Sequence, residues 1–523
     1  MNEKVNVMDF FMTNIVTELQ QQNSDHAMLT AAAIKYASTF RNQFSTQNLG
    51  ALMPLLISHL SSSNVVVHTY AAAAIEKVLI TKKAIEGTKE LKFGREQVKP
   101  ILESLFTGLF SIVDNENLSE NEYVMKAVMR SLSVAKEDLV AVTQIVLEKL
   151  TASLGRVAKN PRNPHFNHYL FESIAVLVRS VCSKNPEYTG AFEALLFPPF
   201  QIVLSMDVLE FTPYVFQVLA QMLEYRSDGL SEAYSSLFPP LLTPTLWERK
   251  GNVPGLTRLI QAYLHKGGSQ IVQQGHLIAI LGVFQKLIAS KANEANGFAL
   301  LESITLYVPK EATQGNLKDI FQILLIRLQA NKGSRYKRLV TNFFALFIGK
   351  FGAQAWLDQM NGLQAGLGFQ IMMNVWLPYL MDNAPATRID AKIQVVGLTK
   401  LICETPALLA DSAGQQIWTR VLACIMKSMT SVGLEAKDGE EEEFAIDVSY
   451  DATYSKLHFA ATPVADPFCD VSDVSLLLAR SLHTLCQSQP GKFPPLIQQG
   501  LQSDEKLMAN FSSLMQKSGL GLS

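Results

Sequence analysis

Cysteine is scarce in this chain of 523 residues, and its thiols are not arranged for metal binding or cross-linking. The five cysteines are Cys182, Cys403, Cys424, Cys469 and Cys486. No two of them form a Cys-x-x-Cys pair, the spacing that zinc sites and redox motifs commonly use. The scattered positions argue against a zinc site or a disulfide framework and predict reduced thiols, as in intracellular proteins.

Net charge and long apolar runs are also missing. The 45 Lys and Arg residues nearly balance the 47 Asp and Glu residues, which gives a formal net charge of −2. Without a positive field, the chain has no general attraction to the phosphate backbone of nucleic acids. The apolar stretch 277–288 is interrupted by Gln285 and Lys286, and no stretch reaches the roughly 18 residues of a membrane span. We therefore expect neither nucleic acid nor a membrane as a partner.

Signatures of common enzyme classes are absent as well. The sequence contains no G-x-S-x-G, no G-x-x-x-x-G-K-[ST], no H-E-x-x-H and no protein-kinase signature. The short Gly-Leu-Gly at 366–368 lies in apolar, helix-like sequence and is too brief to indicate a phosphate-binding loop. The sequence therefore predicts a protein that is not an enzyme and that has no catalytic residues and no cofactor.

Apolar residues, in contrast, are abundant. Hydrophobic side chains make up 48% of the chain and charged ones only 18%, and the mean hydropathy is +0.13. This length exceeds the roughly 250–300 residues at which a single hydrophobic core stops growing. The composition leaves little material for disordered linkers. The chain should therefore form several domains or a repeat array.

Residues 48–80 contain the clearest repeat unit, a pair of predicted antiparallel helices. The first helix carries one apolar stripe at helical spacing, formed by Leu49, Leu52, Met53, Leu56 and Leu60. A polar turn follows, after which Asn64 can cap a second helix. The stripe of that helix consists of Val67, Ala71, Ala74, Ile75, Val78 and Leu79. The small residues at 71–74 let a neighbouring helix approach closely, as HEAT repeats do when they stack.

Similar helix starts recur along the chain. Apolar and often proline-marked starts stand near residues 98, 142, 197, 238, 278 and 319, a spacing of roughly 40 to 55 that overlaps the HEAT and armadillo periods. The sequence SENE at 119–122 has the form of a capping box, which predicts a helix that Ser119 caps. No period-two alternation bounded by strand-turn signals is present. The sequence thus predicts an all-α fold, an α-α superhelix built as a HEAT-repeat solenoid.

Several long strings resemble one protein family. They are SENEYVMKAVMRS at 119–131, KNPRNPHFNHYLFES at 159–173, FTPYVFQV at 211–218, LFPPLLTPTLWERKGNVP at 237–254 and FAIDVSYDATYSKLHFA at 444–460. Together they resemble the importin-α re-exporters, the exportin-2 or cellular apoptosis susceptibility family of the importin-β (karyopherin) superfamily. From this resemblance we interpret residues 1–80 as the end of a central HEAT-repeat region. Residues 81–523 then form the C-terminal HEAT-repeat region, with an acidic loop at 436–451.

The resemblance implies a function as well as a fold. Members of this family return importin-α from the nucleus to the cytoplasm together with Ran-GTP, and they shuttle between nucleus and cytoplasm. They are about twice as long as this chain, and their N-terminal repeats hold the main docking surface for Ran. We therefore expect a fragment or truncated form of a nuclear export receptor that acts as a flexible helical clamp. The alternative is a HEAT-repeat scaffold that organises a stable protein complex.

Two groups of charged residues are candidate partner contacts. Lys126 and Arg130 lie on a predicted second helix, and second helices line the binding surface in related arrays. The acidic run Glu440, Glu441, Glu442 and Glu443 can receive a basic partner surface such as that of Ran or importin-α. For the acidic run, a solvated surface loop is the simpler interpretation.

Three further features have a structural explanation beside a functional one. His165 and His168 share a helical turn, but no third ligand is nearby in sequence, so packing is favoured over a metal site. The basic cluster Lys332, Arg335, Lys337 and Arg338 lacks aromatic neighbours, so a helix-end surface is favoured over a nucleic-acid patch. Trp247 is interpreted as packing between repeats rather than as a binding hot spot.

Overall fold

The computed structural model describes residues 6–21, 26–84, 90–331, 333–431 and 456–521. In these ranges the secondary structure is helical, apart from a single isolated β-bridge between Lys82 and Leu91. This confirms the predicted all-α class. The helices fall into two compact units. Unit 1 comprises residues 1–232, 249–262 and 440–462, and unit 2 comprises residues 233–248, 263–439 and 463–523.

Twelve α-helices of the described ranges precede residue 232. They are α1 (Val7–Phe10), α2 (Val16–Leu19), α3 (Ala27–Phe40), α4 (Thr46–Ser58), α5 (Val65–Leu79), α6 (Arg95–Val98), α7 (Leu102–Val113), α8 (Glu122–Ala135), α9 (Thr143–Val157), α10 (Pro164–Cys182), α11 (Thr189–Ser205) and α12 (Thr212–Tyr225). Successive second helices pack side by side, α5 on α8, α8 on α10 and α10 on α12. The first helices α4, α7, α9 and α11 each pack against the second helix that follows them. Each helix pair thus contacts its sequence neighbours, which is the repeat-array arrangement.

The remaining helices continue the pattern. They are α13 (Glu232–Leu241), α14 (Asn252–Gln273), α15 (Leu277–Ala289), α16 (Glu294–Tyr307), α17 (Lys310–Thr313), α18 (Leu317–Ala330), α19 (Ser334–Phe351), α20 (Ala353–Leu363), α21 (Leu367–Ile371), α22 (Leu377–Asp382), α23 (Arg388–Glu404), α24 (Ser412–Ser431), α25 (Val474–Ser488), α26 (Phe493–Leu501) and α27 (Glu505–Ser518). Within unit 2, α16 packs on α19, α19 on α23 and α23 on α24. Trp247 is buried at 3% exposure and donates its indole N–H to the carbonyl oxygen of Leu241, 2.9 Å away.

The repeat predicted at 48–80 corresponds to α4 and α5. Helix α4 continues through Pro54, and the Asn64 side chain caps α5 by accepting a hydrogen bond from the Val66 N–H. Ala71, Ala72 and Ala74 are buried where α5 packs between α3 and α8. The predicted apolar stripes therefore lie in the core, since Leu49, Leu52, Met53 and Leu56 are also buried.

The predicted capping box before α8 is wrong in detail. Asn121, not Ser119, is the N-cap, and its side-chain oxygen accepts hydrogen bonds from the N–H groups of Tyr123 and Val124. Asn121 also donates to the Thr69 hydroxyl 2.6 Å away on α5. The asparagine amide can accept hydrogen bonds from the free N–H groups at the start of α8 and also donate one to a neighbouring helix. Ser119 lies outside the helix and is exposed.

Candidate partner-binding surface

The candidate surface lies on the second helices of unit 1, chiefly α8, α10 and α12. Asn163 caps α10 by accepting from the Phe166 N–H, and Pro164 occupies the first turn, where its missing N–H costs nothing. Helix α10 is buried on nearly all sides, because α8, α9, α11 and α12 all contact it. Polar side chains on this helix are therefore held away from water, and each needs a polar neighbour.

Lys126 on α8 is half-buried and lies beside an aromatic ring. Its ammonium nitrogen is 5.5 Å from the centre of the Tyr169 ring on α10. Such a cation–π contact contributes roughly 0.5–1 kcal/mol at a partly exposed site. The contact fixes the direction of the lysine side chain while part of it remains accessible to a partner.

Arg130, one helical turn further along α8, is buried with 2% of its surface exposed. Its Nε atom lies 3.6 Å from Oε1 of Glu76 on α5, which is an ion-pair distance but too long for a hydrogen bond. Within the described part of the chain, Nε and Nη1 of Arg130 have no hydrogen-bond acceptor. The Arg130 guanidinium is therefore buried among the packed helices near Glu76 and is not presented to a partner in this state.

Glu172 and His168 lie one turn apart on α10 and are both buried. Burial raises the pKa of Glu172 to about 7, although two backbone N–H donors and the Arg130 charge lower it. Burial also lowers the pKa of His168 to about 4, so the imidazole is neutral at neutral pH. Its Nδ1 lies 3.0 Å from the Tyr214 hydroxyl on α12, and its Nε2 lies 3.8 Å from a Glu172 oxygen. A neutral imidazole at that distance forms no ion pair.

The two N–H donors come from a distant part of the sequence, residues 456–462, which we call the strap. The N–H groups of His458 and Phe459 donate to the two oxygens of Glu172, at 2.5 and 3.0 Å. The N–H of Leu457 donates to Gln217 on α12 at 2.8 Å. The Phe459 carbonyl accepts from Gln221 of the same helix at 2.9 Å. The strap therefore covers polar side chains of α10 and α12.

Residues at the edge of the strap extend this polar layer. Arg258 on α14 forms a bidentate pair with Glu224 of α12, at 2.9 and 2.7 Å. Its Nη2 also lies 3.4 Å from the Thr462 hydroxyl. Bidentate arginine–carboxylate pairs are both directional and strong, so α12 and the first turns of α14 are held in register beneath the strap.

The other candidates predicted from sequence lie elsewhere. Glu440, Glu441, Glu442 and Glu443, with the acidic loop 436–451, fall outside the described residues, as does Lys332. Arg335, Lys337 and Arg338 stand in the first turns of α19. His165 is exposed, whereas His168 is buried against Tyr214. Among the residues that the structure describes, no three His, Cys, Asp or Glu side chains are grouped to hold a metal ion, and no helix could span a bilayer.

Sequence reasoning missed Glu172, Gln217 and Gln221. All three lie in or near strings that carry the family resemblance, yet no local motif marks them. The available signal was the neighbourhood of Glu172, which follows Phe171 and precedes the apolar run 174–178. A charged residue in such a neighbourhood needs a buried polar partner, but sequence does not tell which one.

Comparison with known proteins places the chain in a family. The family model for the CAS/CSE protein C-terminus matches residues 76–510, and the Cse1 family model matches residues 1–75. Exportin-2 of Danio rerio is 38% identical over 515 residues, covering 96% of this chain and 52% of the relative, and exportin-2 of Homo sapiens is 37% identical over the same span. The chain thus spans about half the length of the curated relatives it matches.

Solved structures agree with this placement. The exportin Cse1 in its cargo-free, cytoplasmic state superposes with a TM-score of 0.81 at 28% identity, covering 98% of this chain and 52% of that one. Importin-β superposes with a TM-score of 0.57 at 11% identity, covering 98% of this chain and 58% of that one, which is a likeness of fold. The HEAT-repeat solenoid predicted from the sequence is confirmed by these neighbours. Because the two family matches together cover almost the whole chain, this protein belongs to the CAS/CSE family, and most of its length corresponds to the family's C-terminal region.

Proposed function

We propose that this chain forms part of a nuclear export receptor that returns importin-α from the nucleus to the cytoplasm together with Ran-GTP, and that it shuttles between the two compartments. The observation that supports this most strongly is the 38% identity to exportin-2 over 96% of the chain.

The stacked helices support a clamp mechanism. In a repeat array most contacts join neighbouring repeats, so small rotations at many interfaces add up to a large change in the binding surface. Mutual dependence of two ligands requires a coupling free energy, typically about 1–3 kcal/mol or roughly 5–150-fold in affinity. If importin-α and Ran-GTP stabilise the same arrangement of repeats, binding of one ligand reduces the free energy that is needed to order the repeats when the other binds.

Ran dependence is the first test of this proposal. We expect importin-α to be retained in the presence of Ran-GTP, and not of Ran-GDP, by a chimera of this chain with the N-terminal half of zebrafish exportin-2. The chain alone should show weak or no Ran coupling, because family members dock Ran mainly on N-terminal repeats. Pull-downs with purified importin-α and each nucleotide form of Ran measure both effects.

Two results would contradict the proposal. Equal retention of importin-α with Ran-GDP would instead favour the alternative, a HEAT-repeat scaffold that holds its partners permanently. Tight Ran-GTP binding by the chain alone would show that the main Ran surface is not in N-terminal repeats. The first result would mean that the proposed function is wrong. The second would mean that the Ran-binding surface was assigned to the wrong part of the receptor.

We also propose Lys126, Arg130 and the acidic residues Glu440, Glu441, Glu442 and Glu443 as partner contacts. Lys126 is the most accessible of the described candidates, since part of its side chain is exposed beside Tyr169. The Arg130 guanidinium is buried, so its contact requires α5, α8 and α10 to separate. Charges at the rim of an interface affect the association rate and its salt dependence more than the affinity.

Changing the four glutamates at 440–443 to glutamine tests the acidic contact. We expect slower association of the chimera with its basic partner at low salt, by roughly three- to tenfold, and a smaller difference at high salt. The matched control changes four exposed glutamates elsewhere, Glu103, Glu116, Glu187 and Glu210, to glutamine. Stopped-flow association at two ionic strengths measures the rates, and equal slowing in both variants would contradict a specific contact.

A further inference from the structure

The strap is part of unit 1, and its backbone N–H groups are hydrogen-bonded to side chains of α10 and α12. The three consecutive N–H groups of Leu457, His458 and Phe459 each donate to a side-chain oxygen of α10 or α12. The segment also closes a turn, because the Ala461 N–H donates to the His458 carbonyl at 3.1 Å. Converging N–H groups of this kind form an anion-binding concavity, and here the anion is the Glu172 carboxylate.

Few side chains anchor the strap. Leu457, Phe459 and Ala460 are buried at 1%, 0% and 0% exposure. Lys456 before them is exposed, and so is Val464 just beyond, at 76%. Burial of the Leu457 and Phe459 side chains supplies most of the hydrophobic stabilisation of the docked strap. The anchor is therefore much weaker than the packing that holds the repeat helices, which bury apolar side chains along their whole length.

Within unit 1, the strap also connects α10, α12 and the first turns of α14. Gln221 Nε2 donates to the Phe459 carbonyl and, at 3.0 Å, to the Ala175 carbonyl on α10. Glu172 on α10 and Gln217 on α12 bind neighbouring strap residues. Arg258 on α14 reaches Thr462. When the strap is in place, a change in the separation of α10, α12 and α14 breaks at least one of these bonds.

From these contacts we propose that residues 456–462 act as a reversible strap, which restrains movement between α10, α12 and α14 while docked and frees them when it opens without unfolding of the helices. Opening also uncovers a polar surface that holds Glu172, Gln217 and Gln221. This inference concerns the mechanics of unit 1 and does not depend on nuclear export being the function.

Hydrogen exchange of the unmodified chain tests whether the strap opens by itself. We expect the amides of Leu457, His458 and Phe459 to exchange together, at least ~100-fold more slowly than free peptide, yet faster than the buried amides of α10 and α12. Exchange in step with the α10 core would overturn the proposal, because the strap would then be a fixed part of the fold. Exchange at the free-peptide rate would overturn it too, because the strap would not be docked.

Glu172→Gln weakens the docked state specifically. The glutamine retains one acceptor oxygen, but its amide nitrogen then faces a second backbone donor. At pH 8, above the Glu172 pKa of about 7, the carboxylate is charged, so loss of a hydrogen bond to it is expected to speed exchange at 457–459 by roughly ten- to a hundredfold. The matched control, Val464→Ser, alters an exposed side chain next to the strap and should leave these rates unchanged. Equal rates in Glu172→Gln and wild type would show that the carboxylate does not hold the strap.

A substitution on the strap itself tests the restraint without altering any helix. Phe459→Ser removes the main anchor, so we expect free-peptide exchange at 457–459 and faster exchange in α12 and the first turns of α14. Exchange in α3 and α5, which supply none of the strap contacts described above, should stay at the wild-type rate. If α12 and α14 exchange as in wild type while the strap is released, the strap restrains nothing and the proposal is wrong.

Discussion

Replacing Gly397 by alanine is expected to lower the free energy of unfolding by about 3 kcal/mol or more. Gly397 lies on α23 where that helix crosses α19. An added Cβ would stand 2.3 Å from the carbonyl oxygen of Ala345 and 2.7 Å from its Cα atom. Both are backbone atoms of a packed helix and cannot move aside alone. The two helices would have to separate, which would open voids in the core of unit 2.

Gly282→Ala is the matched control for this change. Gly282 lies in the middle of α15 and is exposed, and no neighbouring atom comes within 4 Å of the position that an added Cβ would occupy. Alanine at such a site should stabilise the protein by up to about 1 kcal/mol, because glycine loses more conformational freedom in a helix. Urea denaturation of both variants measures the effects. A Gly397→Ala midpoint equal to wild type would show that α19 and α23 do not need this close approach.

Replacing His168 by phenylalanine is expected to change how the free energy of unfolding depends on pH, because the titrations of His168 and Glu172 have opposite effects on it in the wild type. The folded-state pKa of Glu172 is raised to about 7 from its ordinary value of 4.5. Between these values the folded protein holds the extra proton, so Glu172 makes stability fall as pH rises, by about 1.4 kcal/mol per pH unit. Above pH 7 the stabilisation that Glu172 contributes is fully lost, and below pH 4.5 it is fully present.

His168 has the opposite effect over nearly the same range. Its folded-state pKa is lowered to about 4 from 6.5, so the unfolded chain holds the extra proton between these values. His168 therefore makes stability rise with pH by the same amount per unit. Between pH 4.5 and 6.5 the two slopes cancel, since folded protein has a neutral pair and unfolded protein an ionised one.

The His168→Phe variant should reveal the slope of Glu172. We expect its stability relative to wild type to fall by about 2.7 kcal/mol between pH 4.5 and 6.5. The lost hydrogen bond to Tyr214 adds a deficit that does not depend on pH. Urea midpoints at half-unit intervals of pH measure the difference, and His26→Phe, at an exposed position before α3, is the control. Parallel profiles for wild type and His168→Phe would contradict the paired titration.

Local sequence was sufficient for much of the fold. The stripes of α4 and α5 are buried as their spacing predicts, because apolar side chains at helical intervals gather on one face of a helix. Asn64 caps α5 because its side chain can satisfy a free N–H two residues later, a contact that needs no tertiary partner. The family strings likewise identified the family, and three of the five lie largely in the packed second helices α8, α10 and α12.

Tertiary structure decided the features that join distant residues. Asn121 rather than Ser119 caps α8, because Asn121 also reaches Thr69 on a neighbouring helix. Glu172 accepts N–H groups from residues 286 and 287 positions away along the chain, and no pattern of local periodicity encodes such a pairing. Sequence alone determined which faces of the helices avoid water, because the hydrophobic effect depends on the side chains of one helix. Which polar groups meet inside the array depends on how several helices and the strap come together, because a buried charge is satisfied by geometry and not by sequence spacing.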